Sequence, residues 1–245
     1  MSENEVFESQ PLMTHLVEFR NRVLRSVLAV LIIFAGLFSF SNEIYLYISE
    51  PIRVFLPANT SMIATEVASP FLTPFKLTLV LSVFAAMPFI LYQTWAFLAP
   101  GLYKREKKIV LPLFFSSVFL FYAGMAFAYY VVFPLVFMFF TSIAPDGISV
   151  MPDIRSYLDF VLKLFFAFGL SFEIPIAVVI LSWMGAVEPN NLAKKRPYVF
   201  VLCFILGMLL TPPDIISQTL LAVPMWLLFE LGILFGRIVA PNQND

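Results

Sequence analysis

The sequence predicts an all-α integral membrane protein with six transmembrane helices and both termini in the cytoplasm. Three observations predict it. Of the 245 residues, 60% are hydrophobic and only 13% charged, and mean hydropathy is +0.90; a soluble domain cannot hide that much apolar surface, so the bilayer must act as solvent. Apolar runs long enough to cross a membrane recur from end to end. Eleven of the fifteen Lys and Arg residues gather on alternate connections, which marks those connections as the inner side.

Residues 4–22 place Leu12, Leu16 and Phe19 on one helical face, so an amphipathic helix at the interface is expected there. The first span follows over 23–40, since ~18 to 20 residues cross the hydrocarbon core. Residues 41–76 hold scattered acids, prolines and a half-apolar face at Ile44, Tyr47, Ile48, Ile52 and Phe55. That pattern predicts short interfacial helices forming an ordered outer cap. The second span covers 77–99, with Pro88 placed to kink it. From 109 to 145 there is no charge, too much for one crossing, so the third span is set at 109–133, ending near Pro134. The fourth covers 159–183 and contains Glu173. The fifth (197–211) and sixth (215–236) are joined by the tight Thr211-Pro-Pro-Asp214 turn. The whole chain, 1–245, reads as a single bundle.

The inner side carries Arg20, Arg22, Arg25, then Lys104, Arg105, Lys107, Lys108, then Lys194, Lys195, Arg196, and finally Arg237. The outer side carries only Arg53, Lys76, Arg155 and Lys163. This asymmetry, with an even number of spans, sets both termini inside.

Several function classes are excluded or unsupported. A net charge of −1 gives no case for nucleic-acid binding. One cysteine, Cys203, allows no internal disulfide, and with one histidine, His15, it leaves no plausible metal or haem site; no cofactor is expected. The polar start MSENEVFESQPLM lacks the pattern of a cleaved signal peptide. No repeat of 20 to 50 residues is visible. No span holds a histidine or an aspartate pair, and no nucleophile elbow or phosphate loop occurs, so an enzyme is not expected.

The residues that invite a functional reading are few. Glu106 sits among Lys104, Arg105, Lys107 and Lys108 in FLAPGLYKREKK; either it pairs locally with a neighbour or it faces a basic ligand arriving from the cytoplasm. Glu173 is a mid-span acid, costing ~2.5 to 3.5 kcal/mol to insert, which fits a helix-to-helix hydrogen bond or a polar cavity. Glu230 lies within two turns of Arg237 and reads as structural. The fifth and sixth segments have clean apolar runs of about 14 to 15 residues, or ~21 to 23 Å against a ~30 Å core. Met208, Thr211 and Gln218 cluster at their outer turn and offer hydrogen bonds to a neighbouring helix, while Asp214 is placed to cap the sixth helix.

Five runs then carry a resemblance: HLVEFRNR (15–22), PFILYQTWAFLAPGLYKREKK (88–108), FAFGLSFEIP (166–175), KKRPYV (194–199) and LLTPPDIISQTLLAVPMWLLFE (209–230). In this order the chain resembles the TatC family, the multispanning core of twin-arginine protein translocase, with Phe19 replacing a more usual Leu. The resemblance implies a glove-like concave bundle in the bacterial inner membrane. It implies that Glu18 and Glu106 receive the Arg-Arg pair of a signal peptide, with Phe97, Leu102, Arg20 and Lys104 beside them. A carboxylate can grip a guanidinium in bidentate fashion, which a lysine cannot reproduce. Glu173 matches the family's intramembrane acid, Pro51 and Tyr129 match functionally sensitive positions, and Met208, Thr211 and Gln218 match the docking site of the single-span subunits TatA and TatB. Folded cargo would then cross at the expense of the proton-motive force, in a receptor complex that also self-associates and contacts lipid. The alternative is a proton-coupled transporter of a small solute that uses Glu173.

Overall fold

The computed structural model describes residues 3–53, 62–98, 107–143, 151–211 and 214–239, and of these the side chains of 3–12, 15, 51, 52, 98 and 107–110 are left aside. Eleven α-helices account for most of the described residues: α1 (Glu3–Leu37), α2 (Ser41–Arg53), α3 (Ser69–Ala85), α4 (Met87–Leu98), α5 (Lys107–Phe127), α6 (Phe133–Ser142), α7 (Ile154–Ser171), α8 (Ile174–Trp183), α9 (Pro189–Lys194), α10 (Arg196–Leu210) and α11 (Ile215–Val239). No strand occurs among the described residues beyond one isolated parallel bridge, Ile63 to Asp153. Four helical runs are long and apolar enough to span a membrane, Leu16–Glu50, Leu111–Ser142, Ile154–Trp183 and Ile215–Val239; the bent pair α3–α4 makes a fifth.

The helices overlap the expected spans but differ from them at several ends, α3 beginning at Ser69 and α7 at Ile154; three further differences have a plain physical reason. The amphipathic start is continuous with the first span in α1. Between Thr14 and Ala35 there is no Gly or Pro to interrupt it, so the change in polarity marks a change of surroundings and leaves the backbone helical. The helical run also does not stop at Pro134. A widened π turn, Ala128–Val132, in which the Phe133 N–H donates to the Ala128 carbonyl, carries the chain into α6. Such a turn accommodates the donor that proline lacks. The third difference lies at Pro88. The bend of 47° between α3 and α4 falls just before it, at Ala86, so Pro88 occupies the first turn of α4, where its missing N–H costs nothing.

The chain packs as two compact units. One comprises residues 1–41 and 78–118, and in it α1 lies against α4. Along α1 the side chains of Leu24, Leu28 and Ile32 are exposed, a surface that suits hydrocarbon as solvent.

The other unit comprises residues 42–77 and 119–245. Its seams are built on close helix approaches. A Cβ placed on Gly124 of α5 would lie 2.5 Å from the Phe168 carbonyl oxygen of α7, and one on Gly169 of α7 would lie 2.7 Å from the Phe121 ring. Gly124 thus lets α5 close on the main chain of α7, while Gly169 makes room on α7 for the Phe121 ring. Gly232 and Gly236 of α11, four residues apart, do the same against Pro175, Val178 and Ser182 of α8; small residues at this spacing let helices meet closely in a membrane. Buried Phe133 and Phe165 (5.2 Å between ring centres) and Phe137 and Tyr157 (5.4 Å) fill the space between α6 and α7.

The region read as a cap is tied down by polar contacts. Asp153 is the N-cap of α7: its carboxylate accepts from the Ser156 N–H at 3.0 Å and from the Thr65 N–H at 3.1 Å. These bonds, led by the one from Ser156, hold its pKa down at about 2. The Ile63 N–H donates to the Pro152 carbonyl, and the Ile154 N–H to that of Ile63. Lys76 pairs with Asp159 at 2.6 Å, and Arg155 with Glu66.

Candidate functional site

The α1–α4 unit holds an acid and a base one helical turn apart. Glu18 and Arg22 are spaced i, i+4 on α1, so their side chains meet: Arg22 Nη2 donates to Glu18 Oε1 at 2.6 Å and Nε to the same oxygen at 3.0 Å. The guanidinium then reaches α4, where Nη1 donates to Gln93 Oε1 at 3.1 Å and Nη2 to the Ala96 carbonyl at 3.2 Å. Gln93 is only 6% exposed, and a buried amide in an apolar helix needs such a partner. The pair is partly shielded rather than dry, with Arg22 and Glu18 side chains 21% and 36% exposed.

From this polar mouth a groove of about 500 Å³ runs along α1, walled by Val27, Val30, Leu79, Val83 and Ile90. The Ser26 hydroxyl donates to the Arg22 carbonyl and the Thr94 hydroxyl to that of Ile90. Both hydroxyls are thereby spent on their own helices, and the groove below the mouth is apolar. At its rim Phe19 and Phe97 pack with ring centres 5.6 Å apart. A charged head and an apolar tail, in that order, would find complementary surfaces here.

The family model "Sec-independent protein translocase protein (TatC)" matches residues 14–224. The chain belongs to the TatC family. It is 61% identical over 237 residues to a TatC protein of Azotobacter chroococcum mcd 1, covering 97% of this chain and 93% of that one. With TatC of Escherichia coli (strain K12) it shares 57% over 240 residues, covering 98% of this chain and 93% of that one. A solved structure described as "Crystal Structure of Twin Arginine Translocase Receptor- TatC" superposes with a TM-score of 0.83 at 35% identity, covering 92% of this chain and 99% of that one. The chain is therefore a membrane-spanning component of a protein translocase, a transport family rather than a catalytic one.

Of the residues that the TatC resemblance singles out at the acid site, Phe97 lines the groove, and Glu18 is tied to it through Arg22, which lines it too. Arg20 is exposed and turns to its neighbour Asn21 instead, Nη2 donating to Oδ1 at 3.2 Å. Glu106, Leu102 and Lys104 lie outside the described residues. Glu173 stands where α7 gives way to α8, two residues before Pro175, and is half-buried.

Three of the singled-out positions flank the α10–α11 turn. The Thr211 hydroxyl, buried, donates back to the Gly207 carbonyl at 3.0 Å. Gly207 in turn lies so close to Gln218 that a Cβ there would be 3.3 Å from the Gln218 carbonyl oxygen. Met208 faces outward, 51% exposed. Asp214 caps α11 as expected, its Oδ1 accepting from the Ser217 N–H at 2.7 Å. Pro51 falls in the last turn of α2, and the Tyr129 hydroxyl donates to the Tyr47 carbonyl at 3.0 Å.

Sequence reasoning missed Arg22 and Gln93 as members of the acid site. Arg22 was counted only as an inner-side base, although the four-residue spacing from Glu18 signals the pair. Gln93 carries a weaker signal, an amide amid the apolar residues of PFILYQTWAF. Glu230 also finds a different partner: Arg196 grips it with two bonds, Nε at 2.7 Å and Nη2 at 2.6 Å.

Proposed function

We propose that this chain is the receptor and assembly platform of a twin-arginine translocase, capturing signal peptides of folded cargo at the cytoplasmic face of the bacterial inner membrane. The observation that carries the proposal is the Glu18 carboxylate, already shaped around a guanidinium, at the mouth of the apolar groove between α1 and α4. Glu18 and Glu106 take the consecutive arginines, and the apolar part of the signal lies along the bundle. The topology behind this is six spans with both termini inside, the distribution of bases being its support.

The single-span partners TatA and TatB dock beside α10 and α11 around Met208, Thr211 and Gln218, and cargo crosses through a TatA assembly driven by the proton-motive force. Relatives across the family carry translocase names, which favours this reading over a small-solute transporter working through Glu173. The test is crosslinking of a twin-arginine signal peptide to Glu18→Ala/Glu106→Ala in native membranes. Loss of the crosslink is expected; normal capture by the double variant would refute the receptor role.

A further inference from the structure

We infer that Glu18, Gln93 and the Ala96 carbonyl form a guanidinium cradle which Arg22 fills in the resting chain, and that a ligand arginine enters by displacing Arg22. The inference rests on the receptor reading above and adds to it the resting occupant and two further contacts.

The geometry is that of a ligand site. Four bonds converge on one guanidinium, from Nε and Nη2 to Glu18 Oε1 (3.0 and 2.6 Å), from Nη1 to Gln93 Oε1 (3.1 Å) and from Nη2 to the Ala96 carbonyl (3.2 Å). The acceptors are spread over two helices and all three nitrogens are used. An ammonium, with its donors on a single atom, cannot reach them together. Gln93 is buried, so its amide oxygen is aimed at this position rather than at solvent.

Exchange of one guanidinium for another conserves charge: Glu18 stays paired throughout, and Arg22 (on the exposed helix α1) leaves towards water. No carboxylate is left bare at the mouth of an apolar groove, a state that is costly. The same economy keeps capture reversible, because the arriving arginine gains bonds that Arg22 must give up. Arg22 is thus a competitor held in cis. Gln93 positions the ligand and distinguishes Arg from Lys.

The experiment measures binding of a fluorescent twin-arginine signal peptide, and of its Lys-Lys version, to the full-length chain in lipid nanodiscs. Arg22→Gln should tighten twin-arginine binding about tenfold, the scale of one charge-assisted hydrogen bond. Gln93→Leu should weaken it and narrow the preference for Arg over Lys. Glu18→Gln should abolish it. If Arg22→Gln weakens binding as Glu18→Gln does, Arg22 only holds Glu18 in place and the cradle is overturned. If Glu18→Gln binds normally, the receptor reading itself falls. Thermal unfolding checks each variant; should Arg22→Gln not fold, Arg22→Lys decides, tighter binding supporting exchange and equal or weaker binding refuting it.

Discussion

The Tyr129 hydroxyl donates to the Tyr47 carbonyl at 3.0 Å, and the two rings stack with 5.6 Å between centres. Tyr47 lies four residues before Pro51 in α2, so its carbonyl is the acceptor that an N–H at 51 would have filled. Proline has none, and a tyrosine from the π turn supplies the bond. Two positions that the family resemblance marks separately thus bear on one carbonyl, that of Tyr47.

Tyr129→Phe should therefore destabilise the fold by about 1 kcal/mol, the net worth of a hydrogen bond. In a Pro51→Ala background, where the helix regains its own donor, the same change should cost clearly less. A double-mutant cycle read by thermal unfolding in detergent measures the coupling; strict additivity would refute it.

Glycines offer a contrast. Gly124→Ala pushes a methyl against main chain of α7 and should cost about 1 to 3 kcal/mol. Gly36→Ala, with nothing within 4 Å of the new atom, should be neutral or stabilising by up to about 1 kcal/mol. Melting temperatures of the two variants, side by side, check both signs.

The helices were legible because the apolar runs are long and their punctuation is plain: Asp214 after two prolines gave the α11 cap correctly. The ends were less so. In the sequence Pro134 signals a stop, because nothing there reveals that a π turn will take up the missing donor. Polarity around Leu16 suggested a separate interfacial helix, although nothing in the backbone there interrupts α1. The candidate site was half legible. Glu18 was found through resemblance, whereas Gln93 depends on a contact between residues 71 apart in sequence, which no local pattern encodes.

Asp153 makes stability sensitive to acid. Its folded pKa, about 2, lies below the ordinary aspartate value near 3.9, so the folded chain favours the carboxylate. Its contribution is complete above that ordinary value and is lost as pH falls towards 2. Asp153→Ala should lower stability by about 1 kcal/mol at neutral pH, as loss of an N-cap does. The gap between wild type and variant should shrink between pH 4 and pH 2 in melting experiments; a constant gap would count against the cap.

The Thr211 hydroxyl is satisfied within its own helix, whereas Met208 is open to a neighbour. A photocrosslinker at Met208 should capture a single-span partner helix in native membranes. Gln218→Leu should reduce that crosslink severalfold while leaving signal-peptide binding intact. Loss of both together would indicate misfolding instead.

The seam between α5 and α7 has two unlike walls: Gly124 faces the main-chain carbonyl of Phe168, and Gly169 faces the Phe121 ring. Enlarging either glycine produces a collision, but only the one at Gly169 is with a side chain. A smaller residue at 121 can therefore open space for a larger one at 169, whereas no change of letter at 168 opens space at 124, where the backbone itself is the wall.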